Sequence, residues 1–133
     1  MTLPPDVRAR VAARAQGRCE YCGLPEREAL HPHQIDHIIP KQHGGGDAED
    51  NLALCCVVCN RYKGPNLATL DPDTGELVGF YHPRRHARDA HFRLDDGEIV
   101  GLTPEGRATI FIFRLNEAVR VAQRRALVRQ GRY

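Results

Sequence analysis

Two Cys-x-x-Cys pairs, Cys19 with Cys22 and Cys56 with Cys59, restrict what this chain can fold into more than any other feature. Neither turn carries enough structure of its own to explain that spacing, whereas four thiolates from two such turns supply the tetrahedral shell of a zinc ion. The 33 residues between Cys22 and Cys56 exceed what a compact zinc ribbon needs, so an insert must fold between the two turns. A redox pair of the thioredoxin kind opens a helix in a βαβ context, which is absent from this sequence. Cys55 is the odd cysteine; it follows the apolar run Leu52-Ala53-Leu54 and is expected to be a small buried hydrophobe.

A staple is needed because the chain is thin in large apolar residues: its 133 residues include no Trp and only 6% aromatics. One domain is expected over residues 1–133, with a core at 19–64 and an extension at 65–133. Met1 to Arg18 is polar and arginine-rich without an apolar run, so the cysteines are expected as reduced thiols in the cytoplasm. No segment approaches the roughly 18 consecutive apolar residues of a membrane span. The net charge is only +2, yet 17 of the 19 basic residues are arginine. The stretch from Ala118 to Tyr133 holds Arg120, Arg124, Arg125, Arg129 and Arg132 with no acid. Arginine suits bidentate contact with phosphate, which points to a nucleic-acid partner.

Pro4 and Pro5 suit the first turn of a helix, and Val7, Val11 and Ala15 lie on one face of the segment that follows. Gly17 stops it, and Arg8, Arg10 and Arg14 are expected at its solvent side. Gly23 completes the first cysteine turn. Residues 33–39 alternate and end β-branched, reading as a strand that Pro40 stops. Lys41 to Asp50, with three consecutive glycines, reads as a loop whose acids Asp47, Glu49 and Asp50 solvate it. Asn51 to Cys55 reads as a returning strand, and Asn60 to Lys63 as about one helical turn stopped by Gly64-Pro65.

The run IDHIIPKQHGGGDAEDNLALCCVVCNRYKG resembles the signature of the HNH endonucleases, in which a ββα-metal motif is often held by a four-cysteine zinc site. The likeness covers Cys19 to Gly64, about a third of the chain, and rests on several fixed positions in order. It implies an α+β fold with a ββα-metal core, an N-terminal helix and a C-terminal extension of a hairpin plus helices. Where the family ends in His or Asn, this chain has Asn60. Asn51 would, by similarity, bond across the loop backbone and orient the strand carrying His37.

The chemistry follows from residue types. Phosphodiester hydrolysis needs an activated water, charge stabilisation on the phosphoryl oxygens and help for the leaving alkoxide. His37 is the expected general base, since imidazole titrates near neutrality. Asp36 offers a hard carboxylate oxygen and Asn60 a neutral one to a divalent ion, for which magnesium or manganese is suited. Lys63, Arg61, Lys41 and His43 are expected to contact phosphate. His31, His33, His82, His86 and His91 lack such a context and are expected on the surface or in packing.

Beyond Asn66, Asp71-Pro-Asp-Thr-Gly is a turn signal, Leu77 to Tyr81 a strand, and residues 92–100 a hairpin about Asp96-Gly97. Thr103 is the expected N-cap of a helix, although Arg107 to Leu115 is β-branched and aromatic enough for a strand. Asn116 is expected to cap a last helix to about Gln130, packing through Ala118, Val121, Ala122 and Leu127. His82-Pro-Arg-Arg and the last helix's arginines would floor a groove for duplex DNA, positioning it without reading sequence. The resulting expectation is a metal-dependent DNA endonuclease. One active site cuts one strand at a time, so a double-strand cut would take a homodimer or sequential nicking. The rivals are a zinc-stapled nucleic-acid-binding module without catalysis and a zinc-stabilised protein-interaction domain.

Overall fold

The computed structural model describes residues 3–133, and its backbone separates into two compact units, one running to Pro65 and one from Asn66 onward. Both units mix short helices with two-stranded antiparallel sheets, an α+β arrangement. Among the described residues no helix is long and apolar enough to cross a membrane.

The first unit opens with α1, Pro5–Arg14, which Pro5 enters with a φ already suited to a helix. Its apolar stripe buries Val11 against Leu52 and Leu54, with Val7, Ala15 and Ile35 packed around them. Arg8, Arg10 and Arg14 are exposed, as expected of that face, and two of them also make bonds. Arg10 pairs with Asp6 at 3.1 Å and Glu49 at 2.9 Å, and Arg14 donates to the carbonyls of Glu49 and Leu52, tying the helix to the loop ahead of a strand.

Two strands follow, β1 (Gln34–His37) and β2 (Leu52–Cys55), paired antiparallel with Asp36 opposite Ala53 and His37 opposite Leu52. All four residues of β2 are buried, which accounts for its unbroken apolar run. Glu20, inside the first cysteine turn, bonds the free edge of β2 twice, through its amide to Leu54 O and its carboxylate to Leu54 N, each at 2.8 Å. Next comes α2, Val57–Lys63, capped by the Cys56 sulfur, which accepts from the Cys59 amide at 3.3 Å. The helix was expected to follow the second cysteine turn; it begins within that turn, because a sulfur facing an open amide is also a helix cap. The order β1, β2, α2 is the ββα core.

The second unit holds a hairpin of β3 (Ala68–Leu70) and β4 (Leu77–Gly79), then α3 (Arg88–His91). A second hairpin pairs β5 (Phe92–Asp95) with β6 (Glu98–Gly101). Asp96 and Gly97 both take positive φ there, as a two-residue Asp-Gly turn requires. The unit ends with α4 (Pro104–Phe113) and α5 (Ala118–Arg129). Thr103 caps α4, its hydroxyl accepting the Gly106 amide at 3.0 Å, so the segment with strand-like composition is helical through Phe113. Its β-branched and aromatic residues meet a core instead of a sheet: Phe113 packs edge-on to Phe80, with ring centres 5.3 Å apart.

Two expectations for α5 are corrected. Asn116 does not cap it; its amide bonds both backbone groups of Ile99, accepting at 2.9 Å and donating at 2.7 Å, and so fixes β6. Nor do Ala118 and Ala122 pack, since both are exposed; the buried face presents Arg120, Arg124 and Leu127. Arg124 donates to the carbonyls of Gly97 and Leu115 and to Asn116 Oδ1, and Arg120 to the carbonyls of Phe113 and Arg114. Arg125 and Arg129 bond Asp96. The basic helix read as a DNA face therefore uses these four arginines to satisfy carbonyls and one acid of its own unit. His82 is likewise structural, its Nδ1 accepting the amides of Arg84 and Arg85.

Candidate active site

The four cysteine sulfurs of Cys19, Cys22, Cys56 and Cys59 are buried and lie within 4.8 Å of one another. A zinc–sulfur bond of about 2.3 Å sets sulfurs about 3.8 Å apart in a tetrahedron. The Cys22 and Cys56 sulfurs are 3.8 Å apart, so the cluster is positioned to hold a metal of that size. The Cys22 amide faces the Cys19 sulfur at 3.5 Å, as the Cys59 amide faces that of Cys56. Cys55 is fully buried beside this cluster, its sulfur turned to the Cys56 carbonyl at 3.4 Å.

Tyr21 links this cluster to the ββα core. It is held between two of the cysteines, fully buried, and donates its hydroxyl to Asp36 Oδ2 at 2.7 Å. The other oxygen, Asp36 Oδ1, accepts from Lys63 Nζ at 3.1 Å, and the same ammonium donates to His37 O at 3.0 Å. Burial raises the Asp36 carboxyl above its ordinary range despite the opposing Lys63 charge, and burial with the Asp36 charge drives the Tyr21 phenol well upward. Lys63, expected on phosphate, is thus corrected to a buried counter-ion: it is 2% exposed and both neighbours are internal. The last turn of α2 points it beneath β1, while Arg61 stays exposed.

Alternation along β1 sends His37 to the opposite side from Asp36. His37 is half-buried and its Nε2 lies 2.7 Å from Asp47 Oδ1, an oxygen that Lys41 Nζ also approaches at 3.3 Å. The bond to His37 first, and Lys41 after it, hold the Asp47 carboxyl below its usual range. Sequence reasoning assigned Asp47 only to solvating the loop. Ten residues separate it from His37, and no local spacing rule connects a loop acid to a strand end.

Asn51 spans the loop. Its Oδ1 accepts from Ile39 N at 2.9 Å, and its Nδ2 donates to Ile39 O at 3.0 Å and Gly46 O at 2.9 Å. The backbone of Gly45 comes so close to Ile39 that a Cβ would overlap the Ile39 carbonyl and sit 2.9 Å from Asn51 Nδ2. His43 donates from Nε2 to Pro65 O at 2.9 Å.

An open cleft of about 380 Å³ lies over the core, bordered by Asp36, His37, Lys41 and Asn60, with Gln42 as a polar wall that sequence reasoning missed. A carboxylate offers roughly four acceptor positions, of which Tyr21 and Lys63 use two at Asp36. Asn60 Nδ2 donates to Gln34 Oε1 at 2.6 Å, which leaves the amide oxygen for another partner. Asp36 and Asn60 therefore retain hard oxygen donors on one cleft, the kind a small divalent cation takes. Arg61 and His43 do not border it.

No curated protein is similar enough to the chain to count as a match. Residues 19–66 match the family model described as HNH endonuclease, and the match begins at the first cysteine of the cluster and ends just past α2. The ββα core with its four-cysteine cluster is thus the part of the chain that matches an HNH endonuclease domain, and its fold and cysteine cluster are consistent with that match.

Proposed function

We propose that the protein is a metal-dependent DNA endonuclease whose cleft is the one bordered by Asp36, His37 and Asn60. The observation that carries this is their convergence on one cleft, an imidazole on one side and two hard oxygen donors on the other. The imidazole takes a proton from a water molecule, the water oxygen bonds to phosphorus, and the bond to the leaving sugar oxygen breaks, its electron pair going with that oxygen. Asp36 and Asn60 would hold magnesium or manganese, which when bound supplies charge stabilisation to the phosphoryl and leaving oxygens. Lys41, which borders the cleft and also approaches Asp47, and the exposed Arg61 would meet the DNA backbone. Zinc in the four-cysteine cluster would keep the core folded.

The test is plasmid nicking with magnesium. His37→Ala is expected to lose about 10²-fold or more, with zinc content and circular dichroism unchanged. A folded variant that nicks at the wild-type rate sinks the assignment.

One observation favours a second reading, a zinc-stapled DNA-binding module without catalysis: both oxygens of Asp36 already accept hydrogen bonds, and one donor is a buried ammonium that repels a divalent cation. It predicts salt-sensitive DNA retention with no magnesium-dependent cleavage.

A further inference from the structure

The His37–Asp47 contact joins the general base proposed above to an acid on a loop, and both ends are held by a single residue. On the strand side, Ile38 N donates to Asn51 O at 2.8 Å and Ile39 N to Asn51 Oδ1 at 2.9 Å, which fixes the backbone leaving His37. On the loop side, Asn51 Nδ2 donates to Gly46 O at 2.9 Å and Asn51 N to Ala48 O at 2.8 Å, which fixes the residues on either side of Asp47. The dyad therefore has both partners referred to one frame, as a preorganised site requires.

An ionised carboxylate can only accept, so at 2.7 Å the imidazole must donate from Nε2. Lys41 Nζ, 3.3 Å from the same oxygen, favours the ionised form of Asp47. A neutral ring that carries its proton on Nε2 has its lone pair on Nδ1.

We propose that Asp47 is a positioning residue for the reaction of this cleft: it fixes His37 in the Nε2-protonated tautomer, so that Nδ1 is the nitrogen that removes the proton from the attacking water. This rests on the nuclease reading. As Nδ1 gains that proton the ring becomes an imidazolium with its second N–H on Asp47, so the positive charge that develops faces a fixed negative one. Asp47 itself does not border the cleft. A loop staple with no effect on the ring would show the same distance, and the two are separated by what happens to the tautomer.

The experiment is ¹⁵N NMR of the His37 ring in the full-length zinc-loaded protein, together with nicking kinetics, for the wild type, Asp47→Ala and Asp47→Asn. The wild type is expected to show the Nε2–H tautomer, and Asp47→Ala a mixture of the two. The kcat of Asp47→Ala should fall about tenfold or more while KM changes less, because Asp47 does not border the cleft and Lys41, its other partner, keeps its charge. Asp47→Asn keeps the size of the side chain, and so carries the test if the alanine variant loosens the loop. It is expected to fail as a rescue, because its amide can donate to the ring and favour the wrong tautomer. A wild type on Nδ1–H, a variant that keeps a pure Nε2–H ring, or an unchanged kcat overturns the proposal. The ring spectrum needs no substrate. A wild type that cuts nothing therefore overturns the nuclease reading, while the Asp47→Ala spectrum still decides whether Asp47 sets the tautomer.

Discussion

Two basic side chains two residues apart, Arg61 and Lys63, carry the same formal charge and meet opposite environments. Lys63 is enclosed with Asp36, and replacing it by methionine keeps the volume while leaving the carboxylate without its cation. Lys63→Met is expected to lower unfolding free energy by about 3 kcal/mol in urea titration, and Arg61→Ala to leave it unchanged, since only the first breaks a buried pair. In the second unit, Asp71 is buried and takes both Arg107 Nε at 3.0 Å and Nη2 at 2.7 Å. The Arg107 bonds first, then the Asp73 amide and the Thr74 hydroxyl, hold its carboxyl far below the ordinary value of 3.8. A depressed folded value contributes stability that is complete above the unfolded one and is lost as pH falls through the folded one. The Tm gap between wild type and Arg107→Ala should therefore be widest near about pH 6 and shrink steadily in acid below the ordinary carboxylate value. A gap that stays constant down to about pH 2 would remove the pair from the account.

At the scale of elements, short pieces that could not stand alone are secured by side chains rather than by length. The β1–β2 hairpin has four residues per strand, and its connecting loop is held by Asn51 and by the approach of Gly45 to Ile39. Gly45→Ala should accordingly lift the loop off the end of β1. The expected signs are a loss of about 2 kcal/mol or more in stability and faster amide exchange at Ile39. Wild-type exchange at Ile39 in that variant would show that the loop tolerates the extra carbon. α5 makes the same point with charge: its inward arginines bond carbonyls at the turn between β5 and β6 and at the end of α4. A helix of this composition reads as a phosphate-binding face until its partners are seen, because arginine serves buried carbonyls and phosphate oxygens with the same donors.

For the molecule as a whole, a modest core and a four-sulfur cluster divide the work unevenly. The cluster lies entirely in the first unit, whose apolar core rests on Val11, Leu52 and Leu54, whereas the second has aromatic packing among Phe80, Tyr81, Phe92 and Phe113. Chelation of the metal is therefore expected to remove exchange protection from residues 19–63 while that of residues 92–127 persists. Loss of protection across both stretches in a single transition would show that their stabilities are coupled.

Sequence alone determined the ββα order, the four cysteines as one cluster, the Asp-Gly hairpin and the Thr103 cap. The hairpin and the cap are local rules that the chain enforces within a few residues, and the cluster follows from two such local cysteine turns completing one tetrahedral shell. Asn51 was legible only through the family resemblance, and its bonds to Ile39 and Gly46 give that position its physical content. Tertiary structure alone decided which charges are used internally. Lys63 went under β1, Arg120 and Arg124 went onto carbonyls, and Asp47 came from an anonymous loop acid to within 2.7 Å of His37. The reason is common to all of them: a charged side chain's partner is set by whichever oppositely charged or carbonyl group the fold brings near it, and that distance in space is not encoded by distance along the chain.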